Sequence, residues 1–431
     1  MTNVIVIGAG AAGLTAALRA AESGAQVWLL NAHPRIGLKI LMSGGTRCNV
    51  THREVTSRDF NGGSRAVVAR VLRAFTPEQT RAWMESMGVH LKLELTGKYF
   101  PETDDAQTVL DALMGAIKTA GVAVQAGARG VRLEPGFRVG IQRVKASAQL
   151  GGGAVARVGE ETWRLPKEEP DEWLESERVI LATGGLSFPR TGSDGTGYSL
   201  VTALGHTLEP PVPALTPLAA ADALCRAAQG VTLDAELALW VDGKVSERVR
   251  GSLLIAHFGF TGPAALDLSR HWHRADASSN RRVTASFAPG ATLESLRAEW
   301  VKAGEHTSRL TARRFLAARL PDRLAELFCV ESRVDGTIPV SQISRDTRES
   351  LLHRVVERPL GVTGTLGYEK AEVTAGGVKL AEVDPSTLES RIVPGLFLCG
   401  EILDVEGRLG GFNFQWAWSS GTVAGRAAAK R

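Results

Sequence analysis

Three glycines near the start of the chain have the spacing of a phosphate-binding turn. Gly8, Gly10 and Gly13 form the pattern G-x-G-x-x-G, with Ala11 and Ala12 inside it. The first glycine permits a tight turn, the second lets the backbone approach a pyrophosphate, and the third lets a helix pack on a strand. Backbone N–H groups at the helix start would then meet the anion. The pattern predicts a dinucleotide site.

The flanking segments have the β-α-β order that such a turn requires. Residues 4–7 are a short apolar run, residues 11–23 have helical character, and residues 26–30 read as a second strand. That strand should end in an acidic residue that binds ribose hydroxyls, but Asn31 stands there. An amide still donates and accepts hydrogen bonds, so the ribose site is retained. Arg35 could indicate a 2′-phosphate pocket, although an exposed loop arginine is the preferred interpretation.

Three further segments predict that the dinucleotide is FAD. Residues 43–49 carry small side chains that let the backbone approach a planar ligand. Residues 182–184 end a buried strand at the crevice where open α/β sheets bind ligands. Residues 400–413, late in the chain, are expected to return to the same site. A carboxylate there can accept a hydrogen bond from a ribityl hydroxyl, and the start of the following helix can stabilise charge on a reduced flavin. A dehydrogenase that binds a nicotinamide cofactor does not need a distant C-terminal segment at its cofactor site.

Several strings resemble a family of bacterial flavoproteins, and together they run nearly end to end. They are VIGAGAAGLTAA, KILMSGGTRCNVT, GKYFP, ILATGGLSFPRTG, GSLLIAHFGFTGP, VTAGGV and GLFLCGEILDVEGRLGGFNFQWAWSSGTVAG. The chain is similar to the BaiN-like or YhiN-like flavoproteins, also called aminoacetone oxidase family FAD-binding enzymes. The resemblance implies an α/β fold with a discontinuous, Rossmann-like FAD-binding domain. A β-rich domain that carries a helical subdomain is inserted into it.

Composition shifts along the chain agree with this arrangement. Prolines and short strand-like runs mark the β-rich part, and apolar residues at three- and four-residue spacing mark the helical part. Residues 147–177 read as a surface hairpin or tolerated insertion. We therefore expect an FAD-binding domain over 1–190 and 366–431, a β-rich domain over 191–290 and 358–365, and a helical insert over 291–357.

Three positions depart from the family's pattern. An acidic residue is usual where Asn31 stands, which affects the ribose contact. The glycine-rich loop usually reads GGGRCN, so Thr46 adds a hydroxyl and a branched side chain. The usual Gly-Asp-Gly before Tyr198 is altered, with the carboxylate displaced to Asp194.

The cofactor site predicted in this way draws on segments from the whole chain. Lys39 and Arg47 are included because they could neutralise a pyrophosphate or a reduced flavin, with plain surface charge as the alternative. The expected FAD-binding residues are Gly8, Gly10, Ala11, Ala12, Gly13, Asn31, Lys39, Ser43, Gly44, Gly45, Arg47, Cys48, Asn49, Val131, Ala182, Thr183, Gly184, Gly400, Glu401, Asp404, Gly411, Phe412 and Asn413.

Two other side chains are candidates for chemistry. His257 matches a recurrent histidine of the family and could relay a proton, but an isolated histidine is as often structural. Cys48 suggests a redox thiol, yet such thiols need a paired cysteine beside the flavin and no partner is near in sequence. A small residue in a tight loop is the better interpretation of Cys48. No metal site is expected.

Bulk properties restrict the partners. The 431 residues carry a net charge of +4, with Lys and Arg scattered among Asp and Glu. This scatter lacks the basic stripe of nucleic-acid binders, so no nucleic-acid partner is expected. The apolar runs are too short to span a bilayer, so we expect no membrane association and a cytoplasmic location. The oligomeric state is left open.

The predicted function is that of an FAD-dependent oxidoreductase that transfers hydride or electrons to or from a small organic substrate. No second G-x-G-x-x-G is present, so NAD(P)H is expected at most as a transient reductant. Three alternatives stay open: an aminoacetone-type amine oxidase that uses O2, an RNA-modifying flavoprotein, and a flavin redox sensor.

Overall fold

The chain forms two compact units, one of which interrupts the other in sequence. The computed structural model describes residues 2–134, 136–144, 169–306 and 309–430. The first unit is Met1–Pro213 with Ala371–Arg431, and the second is Ala214–Lys370. The domain boundaries expected from the sequence, at residues 191 and 365, stay predictions.

The first stretch of the first unit alternates strands and helices. In chain order it contains β1 (Asn3–Ile7), α1 (Ala11–Glu22), β2 (Gln26–Asn31), α2 (Leu38–Met42), β3 (Thr51–His52), β4 (Phe60–Gly62), α3 (Arg65–Ala74), α4 (Pro77–Ser86), β5 (Leu91–Leu93), β6 (Lys98–Pro101), α5 (Ala106–Thr119), β7 (Ala123–Ala126), β8 (Ala128–Glu134), β9 (Arg138–Arg143), β10 (Glu172–Glu175), β11 (Arg178–Leu181), α6 (Thr196–Ala203) and β12 (Leu208–Ala214).

The second unit follows, and the chain then returns to the first. The second unit contains β13 (Leu218–Ala220), α7 (Leu224–Ala227), β14 (Thr232–Val241), β15 (Lys244–Ala256), β16 (Gly259–Thr261), α8 (Pro263–Arg274), β17 (Arg281–Ser286), α9 (Leu293–His306), α10 (Ala312–Ala317), α11 (Asp322–Glu331), α12 (Arg345–Val356), β18 (Arg358–Leu360) and β19 (Val362–Thr365). The return contains β20 (Val373–Val378), β21 (Leu396–Leu398), β22 (Val405–Gly407) and α13 (Phe412–Ala428).

A parallel sheet in the order β21-β11-β1-β2-β7 is the framework of the first unit. Strands β1, β11 and β21 are short, mostly aliphatic runs that are almost entirely buried, as expected when helices cover both faces of a parallel sheet. β1 lies between β2 and β11, and β21 pairs with β11 in parallel. The carboxyl ends of β1, β11 and β21 therefore meet at one edge, where α/β sheets bind ligands.

The C-terminal helix packs unusually close to the first helix. A Cβ on Gly421 would lie 2.5 Å from the carbonyl oxygen of Ala12, and one on Gly425 would lie 2.3 Å from that of Ala16. Such contact between helix backbones is possible only where side chains are absent. α13 is thereby fixed directly on the helix that starts at the glycine turn.

The second unit packs its helices on one face of an antiparallel sheet. The sheet order is β18-β17-β14-β15-β16-β13-β19. Residues from β14 and β17, such as Leu237 and Val283, share one buried core with helical residues such as Trp300, Phe328 and Leu351. The β-rich and helical parts thus have a common core.

Most local predictions agree with these elements. The β-α-β start predicted over residues 4–30 is present. Four helices, α2, α6, α7 and α8, were not anticipated. For the predicted hairpin over 147–177, β10 pairs antiparallel with β9, while residues 145–168 lie outside the described residues.

Within the described ranges, none of the helices combines the length and apolar character needed to cross a bilayer.

Candidate functional site

The turn between β1 and α1 is built so that only glycine fits at two of its positions. A Cβ on Gly13 would lie 1.8 Å from the carbonyl oxygen of Gly8, and one on Gly8 would lie 2.3 Å from that of Ala182. Gly8 also has a φ of 108°, a conformation that side chains disfavour. At Gly10, by contrast, no heavy atom of the described residues lies within 4 Å of the Cβ position. Gly8 and Gly13 therefore hold the turn, and Gly10 faces open space.

The start of α1 has free anion-binding capacity. Gly10 is its N-cap and, among the described residues, no side chain caps the helix and its first turn holds no acidic residue. The first N–H groups of a helix lack intrahelical partners, and the helix dipole adds partial positive charge there. These features suit a pyrophosphate at the turn.

Asn31 holds the loop after β2 against the glycine turn. Its amide oxygen accepts from the N–H of Ala9 at 3.2 Å. Its amide nitrogen donates to the carbonyl oxygens of His33 at 2.6 Å and Arg35 at 3.2 Å. A carboxylate could make the first of these bonds but could not donate the other two. The amide at this position thus has a structural reason, and its contact with a ribose stays a prediction.

A cluster of polar side chains joins the α2 region to the strand ends. Lys39 Nζ lies 2.5 Å from Glu401 Oε2 and donates to Ser187 Oγ at 2.7 Å. Ser187 Oγ donates to Glu401 Oε1 at 2.8 Å, and the Thr374 backbone N–H donates to the same oxygen at 2.8 Å. The side chains of Lys39 and Glu401 are 25% and 18% exposed. The carboxylate is therefore held by three donors in a largely buried position.

Ser187 and Thr374 were not among the residues predicted for the site. The Thr374 hydroxyl oxygen accepts from the backbone N–H groups of Leu186 at 2.8 Å and Ser187 at 3.2 Å. A Cβ on Gly185 would lie 2.4 Å from that hydroxyl oxygen. Both residues lie inside strings that carry the family resemblance. Those strings were therefore the sequence feature from which the two residues could have been predicted.

The loop over residues 43–49 uses several left-handed backbone conformations. Gly44, Gly45, Thr46 and Cys48 have φ values of 56°, 68°, 69° and 61°. Left-handed conformations at the two non-glycine residues carry a strain that the surroundings must hold. The Cys48 N–H donates to the carbonyl oxygen of Ser43 at 3.1 Å, closing the loop.

Two asparagines fix the start of α13, one from this loop and one within the returning chain. In the amide orientation that satisfies both its groups, Asn49 accepts from the Gly411 N–H at 3.0 Å and donates to the Thr51 carbonyl oxygen at 3.1 Å. Asn413 accepts from the N–H of Gly407 and donates to its carbonyl oxygen, both at 2.8 Å. The start of α13 is therefore fixed to both segments.

The returning chain also contacts the glycine turn's helix. A Cβ on Gly400 would lie 2.7 Å from Cβ of Ala12. The Gly400 carbonyl oxygen accepts from Trp416 Nε1 at 3.1 Å. Phe412 is buried and stacks on His52 with ring centroids 4.8 Å apart. The structure thus brings the predicted segments near 8–13, 39–49, 182–184 and 400–413 together.

Arg47 is engaged by protein groups. Its Nη1 lies 2.7 Å from Glu94 Oε1 and 3.5 Å from Asp104 Oδ1. Its guanidinium carbon lies 4.0 Å from the ring centroid of Phe100. The hydrogen bond to Glu94 raises the pKa of Arg47, against the lowering caused by burial. A further role of Arg47 toward a cofactor stays a prediction.

The remaining predicted residues lie in different parts of the fold: three are in the first unit and His257 is in the second. Val131 is buried at an irregularity in the β8–β9 pairing. Thr183 follows β11, and its buried hydroxyl has no hydrogen-bond partner among the described residues. Asp404 is buried and accepts from the Gly63 N–H through its carbonyl oxygen at 2.9 Å. His257 is exposed at the turn between β15 and β16, in the second unit, so its catalytic role stays a prediction.

The four cysteines are buried, and burial is expected to make their thiols unreactive. Cys48, Cys225, Cys329 and Cys399 are free thiols, each at most 3% exposed. Burial raises the pKa of Cys48 and of Cys399 to about 12. Thiols with such a pKa are almost fully protonated at neutral pH, which weighs against a redox-sensing Cys48. In the described part of the chain, His, Cys, Asp and Glu do not cluster in a way that could hold a metal ion.

These features fit a bound dinucleotide. The open face at Gly10, the uncapped start of α1 and the unpartnered Thr183 hydroxyl provide donors at the edge where the parallel strands end. Fold and site together define a Rossmann-type oxidoreductase that uses FAD, as the sequence predicted.

The chain belongs to the HI0933-like protein Rossmann domain family, whose model matches residues 2–427. It is 33% identical over 434 aligned positions to a 3-dehydro-bile acid delta(4,6)-reductase of Clostridium scindens, with 100% of both chains covered. It is 29% identical to a ribosomal RNA dihydrouridine synthase of Escherichia coli, covering 97% of this chain and 96% of that one. A protein of the same name from Haemophilus influenzae is also 29% identical, with 96% of both chains covered.

These comparisons confirm the predicted family, fold class and enzyme class. They do not support the predicted exclusion of nucleic acid, because two relatives carry the name of an enzyme that makes dihydrouridine in ribosomal RNA. Charge scatter along a sequence was the basis of that exclusion. It is a weak basis, since folding can gather scattered charges on one surface.

Replacing Gly13 by Ala should abolish most flavin binding. The new Cβ cannot fit 1.8 Å from the Gly8 carbonyl oxygen, so the turn must open. We expect the ratio of flavin to protein absorbance in the purified variant to fall by on the order of tenfold.

Gly115→Ala is the matched control, because Gly115 is exposed in α5 with no described atom within 4 Å of its Cβ position. That variant should keep its flavin and gain about 0.5–1 kcal/mol in unfolding free energy. Normal flavin content in Gly13→Ala would contradict the assignment of the turn.

Cys48 should be inert in the folded protein. Because burial holds the pKa of its thiol at about 12, alkylation by a maleimide at neutral pH should be roughly a hundredfold slower than in urea. Mass spectrometry of digested protein measures the modified fraction of each cysteine. Rapid sulfenic acid formation at Cys48 in native protein under mild peroxide would instead support the redox-sensor alternative.

Proposed function

We propose that the protein is an FAD-dependent reductase that saturates a carbon–carbon double bond conjugated to a carbonyl group. The observation that carries the proposal is the pair of activities named for its full-length relatives. A 3-oxo steroid with 4,6 double bonds and the uracil base differ in size and polarity. Both, however, contain an alkene conjugated to a carbonyl, so one reaction type covers both names.

The residues of the first unit have distinct tasks in this proposal. The glycine turn and the start of α1 would hold the pyrophosphate, and residues 43–49 and 400–413 would enclose the remainder of the cofactor. Bound FAD supplies a hydride equivalent to the alkene carbon farther from the carbonyl group. NADH or NADPH, docking transiently, is the proposed source of the electrons.

The Lys39–Glu401 pair would give the site an oriented dipole at low reorganisation cost. The ammonium and carboxylate neutralise each other, and Ser187 and Thr374 hold the carboxylate in a single orientation. Preorganised groups of this kind stabilise a developing charge because they do not have to reorient during reaction. The cluster thus suits a site whose ligand alternates between two charge states.

The reaction class is tested with the flavin-loaded protein under anaerobic conditions. The flavin is first reduced with NADPH or NADH, and its visible absorbance is followed after adding a 3-oxo steroid with 4,6 double bonds, deproteinised ribosomal RNA, or buffer. We expect at least one of the two alkene acceptors to reoxidise the flavin on the order of tenfold faster than buffer does. Mass spectrometry should show a gain of two hydrogens in that acceptor.

An amine oxidase would behave differently in the same experiment. An amine such as aminoacetone would bleach the flavin, O2 would restore it rapidly, and neither alkene would react. That result would overturn the proposed reductase.

His257 is the proposed proton donor to the alkene carbon next to the carbonyl carbon. The imidazole is exposed, packs edge-on against Phe258 at 5.1 Å, and makes no hydrogen bond to the described residues. His257→Gln should keep its flavin and its reduction by NAD(P)H but slow alkene-dependent reoxidation about a hundredfold. His353→Gln, which changes an exposed histidine on α12, should react at the normal rate. Unchanged reoxidation in His257→Gln would remove this role.

A further inference from the structure

An arginine-rich helix face lies next to the chain segment that returns to the candidate site. α3 carries Arg65, Arg70 and Arg73, all exposed, and no Asp or Glu occurs between residues 60 and 77. Spacings of five and three residues place the three arginines on one side of a helix, where each turn takes 3.6 residues. The opposite side buries Val68, Val71 and Leu72.

These three arginines are not neutralised by the protein. Among the residues that the structure describes, no carboxylate oxygen lies within ion-pair distance of any of the three guanidinium groups. Many other arginines of the chain are paired, such as Arg47 with Glu94 and Arg297 with Glu349. An unpaired, single-sign surface of this kind attracts an extended anion.

The face is rigidly connected to the candidate flavin site. β4, which precedes α3, pairs antiparallel with β22. The Gly63 N–H donates to the Asp404 carbonyl oxygen at 2.9 Å, two residues before Arg65. On the returning chain, Arg408 is 52% exposed, bound to Asp59, with its guanidinium carbon 4.5 Å from the Phe412 ring centroid. The α3 face is thus joined to the segment that contains Asp404 and Phe412, and Arg408 of that segment is neutralised by Asp59.

We propose that the α3 face, Arg65, Arg70 and Arg73, binds the phosphate backbone of an RNA whose uracil base is the substrate. This inference rests on the proposed reduction of a conjugated alkene and commits it to one substrate class. Arginine binds phosphate through paired N–H donors and holds its charge at any physiological pH. Phosphate contacts set the position of the strand, and a base is then presented to the site.

The test compares RNA affinity in the flavin-loaded protein with and without the three charges. In the triple variant Arg65→Gln, Arg70→Gln, Arg73→Gln, affinity for deproteinised ribosomal RNA should fall about thirtyfold at low salt. The slope of log affinity against log salt should decrease by about 2 to 3, one unit or slightly less per lost contact. Flavin content and thermal melting should match the wild type, since the three side chains are exposed.

A charge-matched control separates this face from total charge. Arg226→Gln, Arg314→Gln, Arg345→Gln removes three exposed arginines of the second unit, and its RNA affinity and salt slope should stay near wild type. Equal losses in both triple variants would overturn the assignment of the face, as would wild-type RNA binding in the α3 variant. Binding of the wild type to anionic lipid vesicles but not to ribosomal RNA would overturn it as well.

The experiment distinguishes this inference from the proposed reaction. If the flavin reduces no conjugated alkene, yet RNA affinity still depends on α3 with the stated slope, the reaction class fails and the RNA surface stands. If a conjugated ketone is reduced while RNA affinity is indifferent to α3, the reaction class stands and the RNA surface fails.

Discussion

The backbone contact between α1 and α13 is the constraint on which the candidate site depends. Helices whose side chains meet keep their axes about 8–10 Å apart, whereas Gly421 and Gly425 let α13 approach the carbonyl oxygens of α1 directly. α1 begins at the glycine turn, and the N-cap of α13 is Gly411, which is bound to the loop over residues 43–49. One helix contact therefore fixes the distance between segments that are far apart in sequence.

A buried polar network reinforces this arrangement at the start of α13. Gln415 accepts from the hydroxyls of Thr51 and Thr80 and donates to the carbonyl oxygen of Phe75. A satisfied network of this kind tolerates only one arrangement of its members, because any shift leaves a buried group without a partner. The contact with α1 lets α13 approach closely, and the polar network fixes the position of α13 along that contact.

The sequence predicted those features that depend on neighbouring residues. The glycine turn, its strands and its helix follow from local spacing, so their positions were recognised within one or two residues. α2 has only five residues, too few to show a period. α8 was missed although Ala264, Leu268 and Trp272 recur every four residues, because the surrounding strand-like runs dominated the interpretation of that region.

Contacts between distant segments explain the remaining differences. Nothing in the local pattern indicates that Ser187 and Thr374 hold Glu401, because the three residues come from three separate segments of the chain. Net charge likewise hid the α3 face, since arginines dispersed along the sequence share one side only after the helix forms. The predicted domain boundaries and the ligand contacts of individual residues stay predictions.

The order of synthesis has a consequence for when the enzyme can acquire its cofactor. The glycine turn leaves the ribosome before the residues that pack beside it, 396–428, which lie more than 300 positions later in the chain. At ~5–20 residues per second, a nascent chain spends on the order of tens of seconds with the nucleotide-binding half exposed and the other half not yet made. During that interval β11 lacks its partner β21 and is itself the edge of the sheet. Unpaired strand edges promote aggregation. We therefore expect cofactor loading to be a late event of biogenesis, after residues 396–428 have been made.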